Sequence, residues 1–383
     1  MDVGIFAAWL SEITALTAEQ RRLALAALNS SASGVDGVSG SQDAAPSGAM
    51  ASAGCTEQAG VAALGARRVE TNGCPHCDSP DVVLWGKASA LPRYRCKTCR
   101  RTFNALTKTP LAHLRMKDKW SAQAGALIEG VSTAKAARLC SVHYTTAFRW
   151  RHRFLAALAG DKPTTLKGIV EGDETFILES FKGRRADMPR KPRKRGGKSA
   201  KRGLSTEQIP VIVARDRDGA TTDAVLPRLN RASIDEALGG VVTPNNEFCC
   251  DGGSAIVAFA RRAGIPAHVL PMPGKPSPAA PEFHLNNVNA YHGRLKEWLR
   301  RFHGVATKNL PNYLGWRRTL EALGQNITPK DIILGAIGLG PYQQKTLSEP
   351  NLKITDHINQ CVNKPTSRGV LKGGFLEECG DLF

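Results

Sequence analysis

The sequence lacks the features of a membrane or secreted protein. No apolar run approaches the roughly 20 residues that a membrane-spanning helix needs. Residues 1–10 are apolar but contain Asp2 and neither Lys nor Arg, so they lack the basic start of a signal peptide. We therefore expect the protein in the cytoplasm of a bacterium or archaeon.

Acidic residues are scarce. The chain has 34 Asp and Glu against 52 Lys and Arg, which gives a formal charge of +18 and an isoelectric point of about 9.7. Such a surface attracts polyanions, and charge alone allows either a membrane surface or nucleic acid. The 383 residues, 42% of them apolar, leave room for two or three domains.

Large apolar side chains are also scarce in residues 29–71, which are rich in Ser, Gly and Ala. A segment of this composition buries too little surface to order itself, so we predict a flexible linker. It follows residues 1–28, where Leu and Ile recur at helical spacing and predict an amphipathic helical segment.

Two Cys-x2-Cys pairs, separated by 18 residues, come after the linker: Cys74, Cys77, Cys96 and Cys99. Four thiolates at this spacing suit a closed, tetrahedral Zn²⁺ site, so residues 72–106 are predicted to form a zinc ribbon. Two disulfides are the alternative, but the other six cysteines are scattered, which favours a reducing compartment. Basic and aromatic residues near the ligands suit a nucleic-acid surface.

Residues 107–160 have the pattern of three short helices, with a tight connection between the second and third. This arrangement resembles a helix-turn-helix. Ser132 is predicted to cap the second helix and Ser141 to open the third. One face of the third helix is apolar: Tyr144, Ala147, Trp150, Phe154 and Leu158. The opposite face carries side chains suited to DNA: His143, Thr146, Arg149 and Arg153. An ordinary helical bundle with a solvated basic face is the alternative.

From about residue 166 the pattern changes to that of an α/β domain. Strands are predicted at 168–178, 209–215, 221–226, 247–250 and 267–270. Helices are predicted at 233–240, 253–263 and 287–303. Three strands, a helix, and then alternating strands and helices predict a mixed sheet flanked by helices.

A strongly basic segment, residues 182–202, interrupts the first two of these strands. It contains eleven Lys or Arg, among them Lys191, Arg193, Lys194 and Arg195, against one Asp. Such a run is usually a solvated loop. Because it lies beside the candidate catalytic residues, we favour a clamp on the DNA backbone.

Two aspartates are placed where a carboxylate is costly. Asp173 lies inside an apolar strand, and Asp251 directly follows another. Buried carboxylates need a partner, and two in one sheet suggest a shared divalent cation such as Mg²⁺ or Mn²⁺. The evidence is weak alone, because Asp-Gly after a strand is also an ordinary turn.

Residues 284–318, beginning His-Leu-Asn-Asn-Val-Asn-Ala-Tyr-His, resemble the closing segment of a bacterial insertion-sequence transposase. The similarity covers about 70–345 and includes the cysteine pairs, Gly-Asp-Glu-Thr-Phe at 172–176 and Cys-Asp-Gly-Gly at 250–253. Transposases of this group join an N-terminal zinc ribbon to an RNase H-like catalytic core. The resemblance therefore implies an RNase H-like fold for residues 166–322.

The resemblance also implies the catalytic residues. Such enzymes carry two Asp and a Glu or Asn, followed seven positions later by Lys; here these are Asp173, Asp251, Asn289 and Lys296. Seven helical residues make two turns, roughly 10 Å along one face. Asn289 can then meet the metal while Lys296 reaches a DNA phosphate.

An Asn at the third position leaves the site one negative charge short of a site with Glu. Glu174 is predicted to point to the other face of the sheet. Glu282 is the least implausible alternative to Asn289. His284 and His292, near the same helix, are expected to cap and pack.

The implied function is a DNA transposase, a homo-oligomer on DNA, associated with the nucleoid. It would bind the element's terminal inverted repeats and catalyse metal-dependent strand cleavage and transfer. A zinc-dependent transcription regulator with an inactive catalytic domain is one alternative, kept open by Asn289. A nuclease or resolvase without strand transfer is another. Residues 323–383 are treated as a C-terminal extension.

Overall fold

The computed structural model describes residues 65–343, except for 67, 89–90, 271–279 and most positions between 185 and 204. The predicted helical segment 1–28, most of the predicted linker 29–71 and residues 344–383 lie outside the described part. No helix among the described residues is long and apolar enough to cross a membrane.

A small antiparallel sheet carries the four cysteines. It consists of β1 (Val82–Ala88), β2 (Leu91–Cys96) and β3 (Thr102–Asn104), in that order. Residues 68–72, at the end of the predicted linker, are helical. Val69 is buried there with Cys74, Cys96 and Phe103. The linker therefore ends earlier than the composition indicates, because this short helix completes the core of the sheet.

Three helices follow, as predicted: α1 (Trp120–Ile128), α2 (Thr133–Leu139) and α3 (Tyr144–Gly160). Ser132 caps α2 by accepting a hydrogen bond from the Lys135 N–H at 3.2 Å. The cap of α3 is His143 rather than Ser141, since its ring nitrogen accepts the Thr145 N–H at 3.4 Å.

The apolar face of α3 is buried as expected at four positions: Ala147, Trp150, Phe154 and Leu158. The expectation for Tyr144 was wrong, because its side chain is 52% exposed. Tyr144 lies in the first turn of α3, where residues 143–145 are all exposed. This turn therefore extends beyond the core.

The second sheet has five strands in the order β6-β5-β4-β7-β8. They are β4 (Ile169–Leu178), β5 (Gln208–Asp216), β6 (Thr221–Val225), β7 (Glu247–Cys250) and β8 (Ala267–Val269). The β4–β5 and β5–β6 pairs are antiparallel, whereas β4–β7 and β7–β8 are parallel. The predicted mixed sheet is confirmed.

Helices cover both faces of this sheet. On one face, α4 (Arg231–Leu238) and α5 (Ser254–Ala263) pack on apolar residues such as Val170 and Phe248. On the other face, α6 (Asn286–Arg300) packs on Val211 and Val213.

Two further helices, α7 (Leu310–Leu323) and α8 (Pro329–Ala336), complete the described part of the fold. Residues of α8 are buried in one core with α1, α3, α7 and Trp298 of α6. Thus α8 belongs to the helical core, although its residues fall in the predicted C-terminal extension.

A buried arginine joins α3 to the five-stranded sheet. Arg318 of α7 is fully buried and donates to the carbonyls of Leu158 and Ala159, each at 3.0 Å. It also forms an ion pair with Asp223 of β6. These bonds satisfy carbonyls at the end of α3 and attach that helix to the sheet.

Candidate functional site

Asp173 and Asp251 come together because two neighbouring strands differ in length. β4 pairs with β7 only as far as Glu171, and then continues to Leu178. Asp251 follows the end of β7 directly and so lies beside the unpaired part of β4. Carboxylate oxygens of Asp173, Glu174 and Asp251 lie within 4.8 Å of one another.

Glu174 was predicted to point to the other face of the sheet from Asp173, yet its carboxylate belongs to this group. Alternation along β4 does direct Asp173 and Glu174 to opposite faces. However, the pairing of β4 with β7 ends at Glu171, so at Glu174 no neighbouring residue of β7 stands between the two faces of the sheet. The Glu174 side chain therefore reaches Asp251 around the end of β7. We call Asp173, Glu174 and Asp251 the acidic cluster.

The acidic cluster carries negative charge with little compensation. Burial, together with the neighbouring charges of Asp251 and Asp173, raises the pKa of Glu174 to about 7. Within the described part of the chain, no Lys or Arg forms an ion pair with these carboxylates; the His292 imidazole lies beside them, with its Nδ1 3.5 Å from Asp173 Oδ2. Three carboxylates in this arrangement fit the oxygen ligands that Mg²⁺ or Mn²⁺ requires.

Glycines give the acidic cluster its shape. A Cβ at Gly172 would lie 2.3 Å from the Phe248 ring, so only glycine permits this packing between β4 and β7. After Asp251, Gly252 has φ of 86°, a conformation that favours glycine. The Gly253 N–H then donates to Asp251 Oδ1 at 2.9 Å and fixes that carboxylate.

Helix α6 carries the other two predicted catalytic residues, Asn289 and Lys296, and contacts Asp173 through His292. His292 is buried, and its ring faces Asp173. Asn289 precedes His292 by three residues, which places it on the same side of α6. Lys296 is one turn further along and exposed. A Cβ at Gly293 would meet no atom within 4 Å, so the helix surface is open there.

Glu171 is a residue that the sequence reasoning missed. Its carboxylate is fully buried and pairs with Arg217, while His284 Nδ1 lies 3.2 Å away. It also accepts the Val288 N–H of α6 at 2.8 Å. The signal was available, because Glu171 lies inside the same apolar strand as Asp173. His284 additionally accepts the Asn286 N–H at 3.3 Å, in agreement with a capping role.

The alternative ligand Glu282 is not brought to the acidic cluster. Its side chain is exposed, and its backbone carbonyl accepts a hydrogen bond from Arg217 at 2.7 Å. Among the described residues, the metal-compatible group at this place contains no acid beyond the three named above.

The four cysteines form a site that fits zinc. All are free thiols; Cys74 and Cys99 sulfurs are 3.7 Å apart, and those of Cys77 and Cys96 are 3.6 Å apart. Four sulfurs bound at about 2.3 Å to one Zn²⁺ would be about 3.8 Å apart. The Cys99 N–H donates to the Cys96 sulfur at 3.4 Å and lowers the pKa of that thiol.

The candidate DNA-binding residues of α3 differ in their surroundings. Arg149 is exposed, Thr146 is half-buried, and His143 is exposed at the cap. Arg153 is also exposed, but its guanidinium donates to the carbonyls of Pro110 and Ala112. Arg153 therefore attaches the preceding segment to α3, a structural use that its position in the helix does not reveal.

The basic segment shows a similar division. Lys191 is exposed, whereas Arg193 forms an ion pair with Glu207 at 2.8 Å and donates to the Glu179 carbonyl. Lys194 and Arg195 lie outside the described residues. Arg193 thus joins the two sides of the β4–β5 connection.

Comparison with known proteins relates the sequence to transposable elements. Residues 165–317 match the ISXO2-like transposase domain. The resemblance to insertion-sequence transposases is confirmed. The chain is also 29% identical over 252 residues to an uncharacterized protein in transposable element ISH50 of Halobacterium salinarum, covering 63% of this chain and 82% of that protein.

A solved structure also matches: the crystal structure of a pre-cleavage Mos1 transpososome. The identity is 12%, and the match covers 60% of this chain and 77% of that one, with a TM-score of 0.22. A score this low does not establish a shared fold.

Proposed function

We propose that this protein is a DNA transposase that binds the terminal inverted repeats of an insertion sequence and catalyses metal-dependent strand cleavage and transfer. The observation that carries the proposal is the acidic cluster inside a domain that matches a transposase family. Carboxylates without a cationic partner are costly unless an ion from outside binds to them.

In this proposal Asp173, Asp251 and Asn289 hold Mg²⁺ or Mn²⁺ on an RNase H-like core. When bound, the ions would make a water molecule, and later a DNA 3′-OH, more nucleophilic toward phosphorus. The protein contributes position and charge. Asp173 and Asp251 are held by β4 and by the Gly252 turn, and Asn289 offers a neutral carbonyl oxygen from α6.

Lys296 has the role of a phosphate contact. It is exposed on α6, beyond the open surface at Gly293. A flexible ammonium there can neutralise a DNA phosphate without competing for the metal. Since phosphoryl transfer requires little covalent chemistry from the protein, placement of the DNA backbone contributes much of the catalysis.

DNA recognition is assigned to the zinc ribbon and to α3. His143, Thr146 and Arg149 lie near the start of α3, where a recognition helix meets base edges. Lys191, Lys194 and Arg195 would contact the DNA backbone. The proposed protein acts as a homo-oligomer on DNA in the cytoplasm, associated with the nucleoid.

The zinc assignment has its own test. Cys96→Ser removes one ligand of a closed site, so the ribbon should lose its metal and its folding energy. We expect loss of stoichiometric zinc and of specific end binding. Zinc that remains after all four cysteines are replaced would contradict the assignment.

The decisive experiment for function is incubation of the purified protein with Mg²⁺ and linear DNA that carries the element's ends. A transposase yields cleaved and then joined products. Cleavage without joining would indicate a nuclease or resolvase. Binding without cleavage would indicate a regulator, the alternative that Asn289 keeps open.

A further inference from the structure

The buried Glu171 carboxylate lies where four segments of the chain meet. It belongs to β4, and one of its oxygens pairs with Arg217 from the β5–β6 turn. The other oxygen accepts the Val288 N–H in the first turn of α6 at 2.8 Å. Arg217 also donates to the Glu282 carbonyl, and His284 lies 3.2 Å from the carboxylate. One side chain therefore holds the segment leading into α6 against the sheet.

This junction is adjacent to both sides of the proposed metal centre. Glu171 precedes Asp173 by two residues and shares its face of the sheet. Val288 directly precedes Asn289 in α6. The bond from Glu171 to the third N–H of α6 limits sliding of that helix along β4. Because a helix rises 1.5 Å per residue, even a small slide would change the distance from Asn289 to Asp173.

We propose that Glu171 is a positioning residue for catalysis, which fixes the height of α6, and with it the position of Asn289, relative to Asp173 on β4. The inference rests on the proposed function, since it assumes that these two residues share a metal. Glu171 does not itself contact the metal in this account, because both of its oxygens already accept from protein donors.

Glu171→Gln is an informative change because both oxygens face donors. Either orientation of the amide places its NH₂ group against Arg217 or against the Val288 N–H. The variant thus keeps the size of the side chain and disturbs the junction. Glu247→Gln is the matched control: Glu247 is on the adjacent strand β7, is 47% exposed and accepts from His268 at 2.6 Å.

The measurement is Mn²⁺ binding to the full-length protein, followed by the electron paramagnetic resonance signal of free Mn²⁺. We expect Glu171→Gln to weaken binding about 10-fold, as found for residues that orient metal ligands. Glu247→Gln should bind as the wild type does. Asn289→Ala should weaken binding, and adding Glu171→Gln to it should cause no further loss, since the positioned group is already absent.

A purely structural role gives a different pattern. The inference would be overturned if Glu171→Gln bound Mn²⁺ as tightly as the wild type, or if the losses of Mn²⁺ affinity from Glu171→Gln and Asn289→Ala multiplied in the double variant. In either case, weaker Mn²⁺ binding by Asp173→Ala would still support the proposed function. Unchanged binding in Asp173→Ala would overturn both. If circular dichroism shows that Glu171→Gln is unfolded, Arg217→Gln takes its place. It too should weaken Mn²⁺ binding alone and cause no further loss when combined with Asn289→Ala.

Discussion

Glu171 and the acidic cluster present the same chemical group in two electrostatic states. The Glu171 carboxylate is fully buried and accepts from the Arg217 guanidinium and from the Val288 N–H, with the His284 ring 3.2 Å away. Asp173, two residues later on the same strand, lies close to Glu174 and Asp251, and the one side chain paired with it among the described residues is His292. The first group is compensated by the protein itself, whereas no Lys or Arg among the described residues pairs with the second, which is where we propose that a cation binds.

Under the proposed function, this difference separates the acids that hold the fold from the acids that carry the chemistry. Burial alone does not, because Glu171 is more buried than Asp173. The useful criterion is whether an arginine or lysine of the described chain forms an ion pair with the carboxylate. By that criterion Asp223, which pairs with the buried Arg318, is an acid that holds the fold, as Glu171 is.

The largest effect is expected when an uncompensated acid is removed. Asp173→Ala or Asp251→Ala should reduce strand cleavage and joining to background, because each loses a charged metal ligand. End binding should stay close to wild type, since neither residue lies in the ribbon or in α1–α3. Cleavage of end-bearing DNA with Mg²⁺ and a gel-shift assay measure the two properties. Full cleavage by Asp173→Ala would refute the proposed mechanism.

Breaking a compensated pair should affect stability. Arg318→Met leaves the Asp223 carboxylate buried without its partner, and we expect a loss of about 3–5 kcal/mol in the free energy of unfolding. Arg294→Met is the control, since Arg294 is 44% exposed and pairs with Glu321; its loss should be at most about 1 kcal/mol. Urea denaturation measures both, and equal losses would contradict the distinction.

The roles of Asn289 and Glu174 give the next smaller effect. Asn289→Ala should lower the cleavage rate by orders of magnitude, whereas Asn289→Asp should retain part of it, since a carboxylate oxygen can fill the same position. For Glu174→Gln we expect about a 10-fold loss, as for a group near the ligands. Full activity in Asn289→Ala, combined with complete loss in Glu174→Gln, would move the third ligand to Glu174.

The smallest effect concerns the basic segment, where Lys191 is exposed and Arg193 is paired. Neutralising Lys191, Lys194 and Arg195 together should weaken binding to all DNA sequences alike. The slope of log affinity against log salt should fall by about 3 units, near one per phosphate contact. Arg193→Gln should change that slope little. If the triple variant kept the wild-type salt dependence but no longer distinguished DNA sequences, the basic segment would contact bases and not the DNA backbone.

Local pattern was sufficient to predict the strands and helices that carry the site. The five strands from Ile169 to Val269 and the helices α4 to α6 were found from periodicity and apolar runs. Asp173 and Asp251 were found because an acid in or after an apolar strand is unusual. Ser132 was recognised as a cap because that bond is made within three residues.

Features that depend on distant parts of the chain were not predictable in this way. Glu174 joins the acidic cluster because β7 stops short of it, and no local pattern near Glu174 contains that information. The carbonyl partners of Arg153 are more than 40 residues away, so it looked like a free DNA contact. The packing of α8 against α1 and α3 likewise required the assembled core.

The most direct test of the central claim is to locate the bound cation. Fe²⁺, substituted for Mg²⁺ in the full-length protein, generates hydroxyl radicals with ascorbate and peroxide that cut the chain near the ion. The account predicts cuts near residues 173, 251 and 289, suppressed by excess Mg²⁺ and absent in Asp251→Ala. Cuts confined to other segments, or unchanged in Asp251→Ala, would show that the acidic cluster does not hold the metal.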